Sequence, residues 1–243
     1  MQRYFIDSQQ FFDNQVVITG DDVHHIVKVM RTEIGDHILV SDGRGRVVKA
    51  RLSALEPKEV RAEIVEHITK QTELPVSVTI GQGLPKGDKL EWILQKGTEL
   101  GATSFVPFQS ERTIVKLDAK KEAKKLERWS KIVKEAAEQS HRAYLPEVLT
   151  PLSFKQVVEH AKSYTTAVIA YEKEDTKRLG EVLSNLSVGD SLFVMIGPEG
   201  GFSESEIQYA EENGIHSVSL GPRILRTETA SQYLLAAVSY HFE

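Results

Sequence analysis

Residues 193–230, FVMIGPEGGFSESEIQYAEENGIHSVSLGPRILRTETA, alternate apolar runs with glycine loops and helix-start signals, and that alternation decides the fold. In the run Ser191-Leu-Phe-Val-Met-Ile196 every residue after the serine is apolar, the pattern of a strand covered on both faces. It stops at Gly197-Pro198-Glu199-Gly200-Gly201, a loop with almost no side chain to hold a ligand off the backbone. Ser203 and Glu206 have the capping-box spacing that starts a helix, and Gly214 ends it. Residues 216–220 form a second short strand, which runs into Gly221-Pro222-Arg223-Ile224-Leu225-Arg226. Thr229 and Gln232 repeat the capping-box spacing and predict the head of the last helix. Gly-Pro pairs are ordinary turn punctuation, and one alone would mark a connector. Two of them, each following a buried strand of one parallel sheet, put both loops on its carboxyl edge, where open α/β sheets bind ligands.

The common nucleotide motifs are missing from this stretch. No G-x-G-x-x-G follows a strand and no G-x-x-x-x-G-K-[ST] occurs, so neither the dinucleotide fingerprint nor a P-loop is present. Glu199 in the first loop would repel a phosphate and suits a ligand with a positive charge. The histidines are scattered without metal-ligand spacing, so no metal is expected. No G-x-S-x-G elbow marks a serine hydrolase. The chain has no cysteine, which excludes disulfides, thiolate zinc sites and a cysteine nucleophile.

The 243 residues carry a net charge of −5, distributed unevenly. Residues 86–142 hold 13 basic and 9 acidic side chains, and residues 143–243 hold 7 and 14. A nucleic-acid partner would therefore meet local patches, not a general positive field. No run of about 18 apolar residues predicts a membrane span, and the amino terminus lacks a signal-peptide pattern. A cytoplasmic location is expected.

Residues 1–70 read as a small β-rich domain. A strand is predicted at residues 16–18 and a short amphipathic helix at 21–31, with Val23, Ile26, Val27 and Met30 inward. Residues 37–52 alternate around the turn Asp42-Gly43-Arg44-Gly45, and 60–68 alternate again. Several short strands with one helix suit a compact PUA-like or OB-like barrel. Residues 68–75 are the linker, placing a second domain at 71–243. There, strands at 76–84, 105–108 and 167–170 alternate with helices entered at Lys86 and spanning 120–139, as in a parallel sheet flanked by helices. Residues 143–166 carry no assignment.

GPEGGFSESE (197–206) and LGPRILRTETA (220–230) together resemble the signature of the RsmE family, methyltransferases of the SPOUT superfamily acting on N3 of a uridine in small-subunit (16S) ribosomal RNA. The likeness extends through Lys96-Gly-Thr-Glu-Leu-Gly101, Glu111-Arg112-Thr113, residues 135–142, Arg3-Tyr-Phe and His24-His25…Arg31. Thr113 stands where serine is expected, and Met30 where leucine is usual. The resemblance implies a PUA-like RNA-binding β-barrel followed by a SPOUT domain with a deep trefoil knot, and a homodimer joined near that knot. The last-helix face of Tyr233, Leu234, Ala237 and Val238 is open to either that interface or the monomer core. It implies S-adenosyl-L-methionine as cofactor, held by Ala170, Tyr171, Glu172, Ile196, Gly197, Pro198, Gly200, Gly201, Leu220, Gly221, Ile224, Leu225 and Arg226.

In such a site Arg226 is the first catalytic candidate, a fixed cation beside the negative charge that develops on uracil. Glu199 is the second, as base, as partner of the sulfonium or as a loop tether. Thr227 and Glu228 would hold Arg226 or cap the last helix. Arg3, His24, Lys28, Arg31, Arg44, Arg46, Arg112, Gln139 and Arg142 are candidate RNA contacts, solubility being the ordinary role of each cation. Two rivals remain: a ribose 2′-oxygen methyltransferase of the same superfamily, and a non-catalytic RNA-binding assembly factor.

Overall fold

The computed structural model describes residues 1–69, 72–114 and 119–243. It divides into two compact units, Met1–Glu73 with Ala137–Leu145, and Leu74–Ala136 with Pro146–Glu243. The expected boundary at 70/71 lies outside the described residues, and segment 137–145 joins the first unit although it follows much of the second in sequence.

The first unit contains β1 (Arg3–Phe5), β2 (Gln15–Thr19), α1 (Asp21–His24), β3 (His37–Ser41), β4 (Val47–Leu55) and β5 (Glu59–His67). These strands form one sheet in the order β1-β3-β4-β5-β2, with β1 parallel to β3 and the other pairs antiparallel. Alternation along β2 and β4 sends Val16, Ile18, Val48, Ala50 and Leu52 into a single core with Tyr4, Ile26, Val40 and Val60. The predicted helix at 21–31 is shorter and irregular. After α1 the backbone passes into a π-helical turn, His25–Val29, and Arg31 has φ 53°. The wider turn shifts the 3.6-residue register, so Ile26 is buried while Met30, expected inward, is exposed.

The second unit is a parallel sheet between helices. Its elements are β6 (Ser77–Gly83), α2 (Lys89–Glu99), β7 (Ser104–Gln109), α3 (Ala119–Gln139), β8 (Glu147–Val148), β9 (Leu152–Ser153), α4 (Phe154–Ala161), β10 (Thr166–Ala170), α5 (Leu179–Ser184), β11 (Ser191–Ile196), α6 (Glu204–Glu212), β12 (His216–Val218) and α7 (Thr227–His241). The strand order is β12-β10-β11-β6-β7-β8, with β9 also on β7. The apolar run of β11 is explained by its place in the middle. Leu192, Val194 and Ile196 face one core with Ile80, Phe105 and Leu234; Phe193 and Met195 face another with Phe108, Ile169 and Phe202. Leu234 and Val238 of α7 are fully buried in the core with Ile80 and Phe105, so of the face left open between interface and core Tyr233 alone is exposed.

Candidate functional site

The loops that follow β10, β11 and β12 leave one edge of the second unit's sheet. Residues 170–172, 174, 175, 178–180, 196–202 and 219–227, with Lys89, Ala230 and Tyr233, line a cavity of about 1150 Å³. Ligand pockets commonly measure about 300–1,000 Å³, so this one has room for a nucleoside-sized cofactor beside part of a second substrate. Every residue expected at the cofactor, from Ala170 to Arg226, lies on its wall, as does Glu199. Glu174, Asp175, Arg178 and Ser219, which no motif signalled, line it too, as does Arg223 of the second loop, which was not among the expected site residues. Four acids (Glu172, Glu174, Asp175, Glu199) and four bases (Lys89, Arg178, Arg223, Arg226) share that wall with Ile196, Leu220, Leu225 and Ala230. Such a lining suits a ligand with an apolar ring and charges of both signs.

The loop after β11 is built by close approach and side-chain ties. Gly83, at the end of β6, faces Pro198 so tightly that an added Cβ would lie 2.6 Å from its Cδ. Gly201 has φ 65°, and a Cβ there would meet Glu172 Oε1 at 3.2 Å. The capping box starts α6 as the spacing predicts: Ser203 Oγ accepts from the Glu206 amide at 3.2 Å, and Glu206 Oε2 from the Ser203 amide at 3.0 Å. Glu206 Oε1 also accepts from the Glu111 amide at 2.8 Å, a second use that the sequence does not announce. Arg112 Nη1 donates to Gly200 O at 2.8 Å, so its guanidinium is engaged with the loop.

Glu199 accepts from Lys89 Nζ at 2.8 Å and from the Lys86 amide at 3.2 Å. Burial pushes its carboxyl up, but the Lys89 ammonium and the backbone amides outweigh that and hold it below the usual range. A carboxylate so occupied is a weak proton acceptor; its geometry is that of a tether between the loop and α2. Thr227, expected to steady Arg226 or cap the helix, instead donates its hydroxyl to Gly197 O at 2.6 Å. It accepts from Gln82 Nε2 at 2.8 Å. The last helix starts at Thr227, two residues before the predicted box at Thr229, and Arg226 is its cap position without a side-chain cap bond.

The loop after β12 differs. Its base is fixed by Ser219 N to Lys177 O at 2.8 Å and Leu179 N to Ser219 O at 3.2 Å. Gly221 through Ile224 are exposed, Ile224 at 87%. The Arg226 side chain is exposed and no bond of its guanidinium is found among the described residues. The loop after β10 is ordered by Glu174, which accepts from Ser217 Oγ at 2.6 Å, Thr176 Oγ1 at 2.5 Å and the amides of Thr176 and Lys177. The Ser217 and Thr176 hydroxyls, with those amides, pull its carboxyl down to about 2.

The candidate RNA contacts separate. In the first unit His24, Lys28, Arg31, Arg44 and Arg46 are exposed, with Arg46 also 4.6 Å over the Phe11 ring. Arg3 and Arg142 are buried instead, at 5% and 2% exposure. Arg142 pairs with Glu73 through Nε at 3.0 Å, and Arg3 donates to Arg142 O. Both guanidiniums are spent on the first unit's own interior, which corrects their assignment as phosphate contacts. Gln139 is exposed at the end of α3.

Residues 72–239 match the model of the RNA methyltransferase domain family, and residues 18–65 that of the RNA methyltransferase PUA domain. The chain is 46% identical to the ribosomal RNA small subunit methyltransferase E of Bacillus subtilis, covering 100% of this chain and 98% of the relative. It is 39% identical to the protein of that name from Synechocystis, covering 98% and 77%. Among solved structures, the Neisseria gonorrhoeae ribosomal RNA small subunit methyltransferase E bound to S-adenosyl methionine is 35% identical with a TM-score of 0.88, over 99% of this chain and 97% of that one.

Proposed function

This chain belongs to the ribosomal RNA small subunit methyltransferase E family, and from that premise we propose that it methylates N3 of a uridine in small-subunit ribosomal RNA, using S-adenosyl-L-methionine. The observation that carries the reading is the cavity at the sheet edge, walled by two glycine loops and rimmed by the Arg226 guanidinium, which has no partner among the described residues. The cofactor's make-up fits this lining: an adenine for the apolar side chains, and a sulfonium, an ammonium and a carboxylate for the mixed charges. When bound, S-adenosylmethionine supplies a methyl group on a sulfonium, activated for in-line displacement.

The chain's own residues then have distinct tasks. The glycine loops let backbone groups approach the cofactor closely and fix its orientation, and alignment is where much of the acceleration in a displacement arises. Uridine N3 must lose its proton before or as the new N–C bond forms, leaving negative charge on the uracil. A guanidinium offers donors and no acceptor, so Arg226 serves as the cation for that charge and not as the base. Glu199 holds the loop after β11 to α2.

The finer architecture belongs to the same proposal. We read the sheet of the first unit as closing into a PUA-like barrel that brings RNA to the enzyme through His24, Lys28, Arg31 and Arg44. We read residues 71–243 as a SPOUT domain whose carboxyl-terminal chain is threaded as a trefoil knot, an exception to the rule that folds are unknotted. Exposed Trp92, Tyr233 and Tyr240 on α2 and α7 support a homodimer. No helix among the described residues is long and apolar enough to cross a membrane, which fits a cytoplasmic enzyme.

The test is methyl transfer from labelled S-adenosylmethionine to small ribosomal subunits that lack the modification, followed by nucleoside analysis. Label in 3-methyluridine is expected. Label in a 2′-O-methyl nucleoside would replace the acceptor atom, and no transfer by a folded, cofactor-binding protein would return the assembly-factor reading.

A further inference from the structure

We propose that Gln82, acting through Thr227, is a positioning residue for the cofactor site: a buried hydrogen-bond relay that fixes the Gly197 carbonyl and ties the two glycine loops together. The proposal rests on the reading of this cavity as the S-adenosylmethionine site.

The sheet ladder explains why a relay is needed at this place. Pairing between β6 and β11 ends at Gln82 opposite Ile196. The next residue on β11's side is Gly197, followed by Pro198, which has no N–H to offer. The Gly197 carbonyl is therefore the handle by which the beginning of the loop can be held. Side chains take over where the backbone ladder stops. Gln82 Nε2 donates to Thr227 Oγ1 at 2.8 Å, and Thr227 Oγ1 donates to Gly197 O at 2.6 Å. A hydroxyl has one proton; because Gly197 O can only accept, Thr227 must give it that proton and receive one from Gln82. The direction of the relay follows from which of these groups carry protons, and each bond polarises the next.

The burial of Gln82 points the same way. Its exposure is 0%, its Nε2 also meets Gly83 O at 2.9 Å, and its Oε1 has no partner among the described residues. A hydrocarbon side chain would fill the same space without stranding a buried acceptor. What the amide provides that a hydrocarbon cannot is the donor end, and that end is aimed at Thr227. Gly197 and Thr227 line the cavity, while Gln82 lies behind them. Thr227 directly follows Arg226 and begins α7. The relay thus fixes the start of the first glycine loop relative to the end of the second, and with it the backbone that presents the Arg226 guanidinium.

The test measures S-adenosylmethionine affinity by calorimetry for wild type, Thr227→Val, Thr227→Ser, Gln82→Met and the Gln82→Met/Thr227→Val pair, with melting curves alongside. Breaking the relay, at both of its bonds in Thr227→Val and at the first in Gln82→Met, should raise Kd by about tenfold in each variant. Thr227→Ser, which restores the hydroxyl, should return to within about threefold of wild type, and the double variant should bind no more weakly than Thr227→Val because the relay acts as a unit. In turnover, KM for S-adenosylmethionine should rise while KM for the ribosomal substrate holds. Thr227→Val is nearly isosteric, so it keeps the test usable if Gln82→Met does not fold. A lower melting temperature with unchanged Kd would make the relay structural only and overturn the proposal, as would fully additive losses in the double variant. Absence of binding by folded wild type would instead overturn the reading of the cavity on which the relay rests.

Discussion

Two Gly-Pro loops leave neighbouring parts of one sheet edge, and the structure treats them differently. The loop after β11 is gripped from several sides: Glu199 by Lys86 and Lys89, Gly200 O by Arg112, Gly197 O by Thr227, and Pro198 against Gly83. The loop after β12 is anchored at Ser219 and resumes regular bonding at α7; between them Gly221–Ile224 stand in solvent. Backbone held by buried contacts opens rarely, whereas exposed backbone with few bonds opens at little cost. The difference teaches a division of labour. One loop is held by side chains from several elements, and the other is held only at its two ends.

The largest effect is expected at Arg226, which the exposed loop presents. Arg226→Ala should lower kcat by about 100- to 1,000-fold, the usual effect of removing a donor from developing negative charge, with S-adenosylmethionine affinity held within severalfold. Glu199→Gln run alongside should keep activity within severalfold, since a tether is weakened and no proton acceptor is lost. A collapse of kcat in that variant, with a shifted pH profile, would make Glu199 the base.

Glycine substitutions sharpen the contrast next. Gly83→Ala drives a Cβ to 2.6 Å from Pro198 Cδ, and forced overpacking of this kind costs about 1–3 kcal/mol. Gly221→Ala meets nothing within 4 Å and is opposed only by its φ of 106°, worth about 1 kcal/mol at the low end of backbone strain. Chemical denaturation should therefore rank Gly83→Ala as the larger loss. Equal losses would mean that the second loop is as firmly packed as the first. Hydrogen exchange reads the same difference without mutation: amides of 221–226 should exchange faster than those of 199–202 in the free protein, and slow on adding S-adenosylmethionine.

The smallest effect concerns the third loop. Glu174 has a folded-state value near 2 against an ordinary 4.5, so its contribution to stability is present above about 4.5 and is lost as pH falls through 2. Glu174→Gln should lower the melting temperature at pH 7, and the difference from wild type should shrink as pH approaches 3. A constant difference across that range would dissociate the loop's order from its carboxylate.

The sequence by itself determined what depends on near neighbours and on covering both faces of a strand. The unbroken apolar run 191–196, the glycines after it and the Ser203–Glu206 box specify strand, loop and helix start within a few residues of each other, and the site's wall was legible for that reason. Local patterns misjudged the head of α7, because the Thr227 hydroxyl is drawn to a carbonyl 30 residues away instead of to its own helix. They misjudged Arg3 and Arg142, which look like surface cations until Glu73 and a carbonyl 139 residues from Arg3 enclose them. They gave no sign of Gln82 at all, since a lone glutamine in an apolar strand has no periodicity to betray it. Only the tertiary structure decides these positions: whether a polar side chain is stranded, paired or free depends on which distant donors and acceptors the packed sheet brings within 3 Å, and no spacing along the chain encodes that.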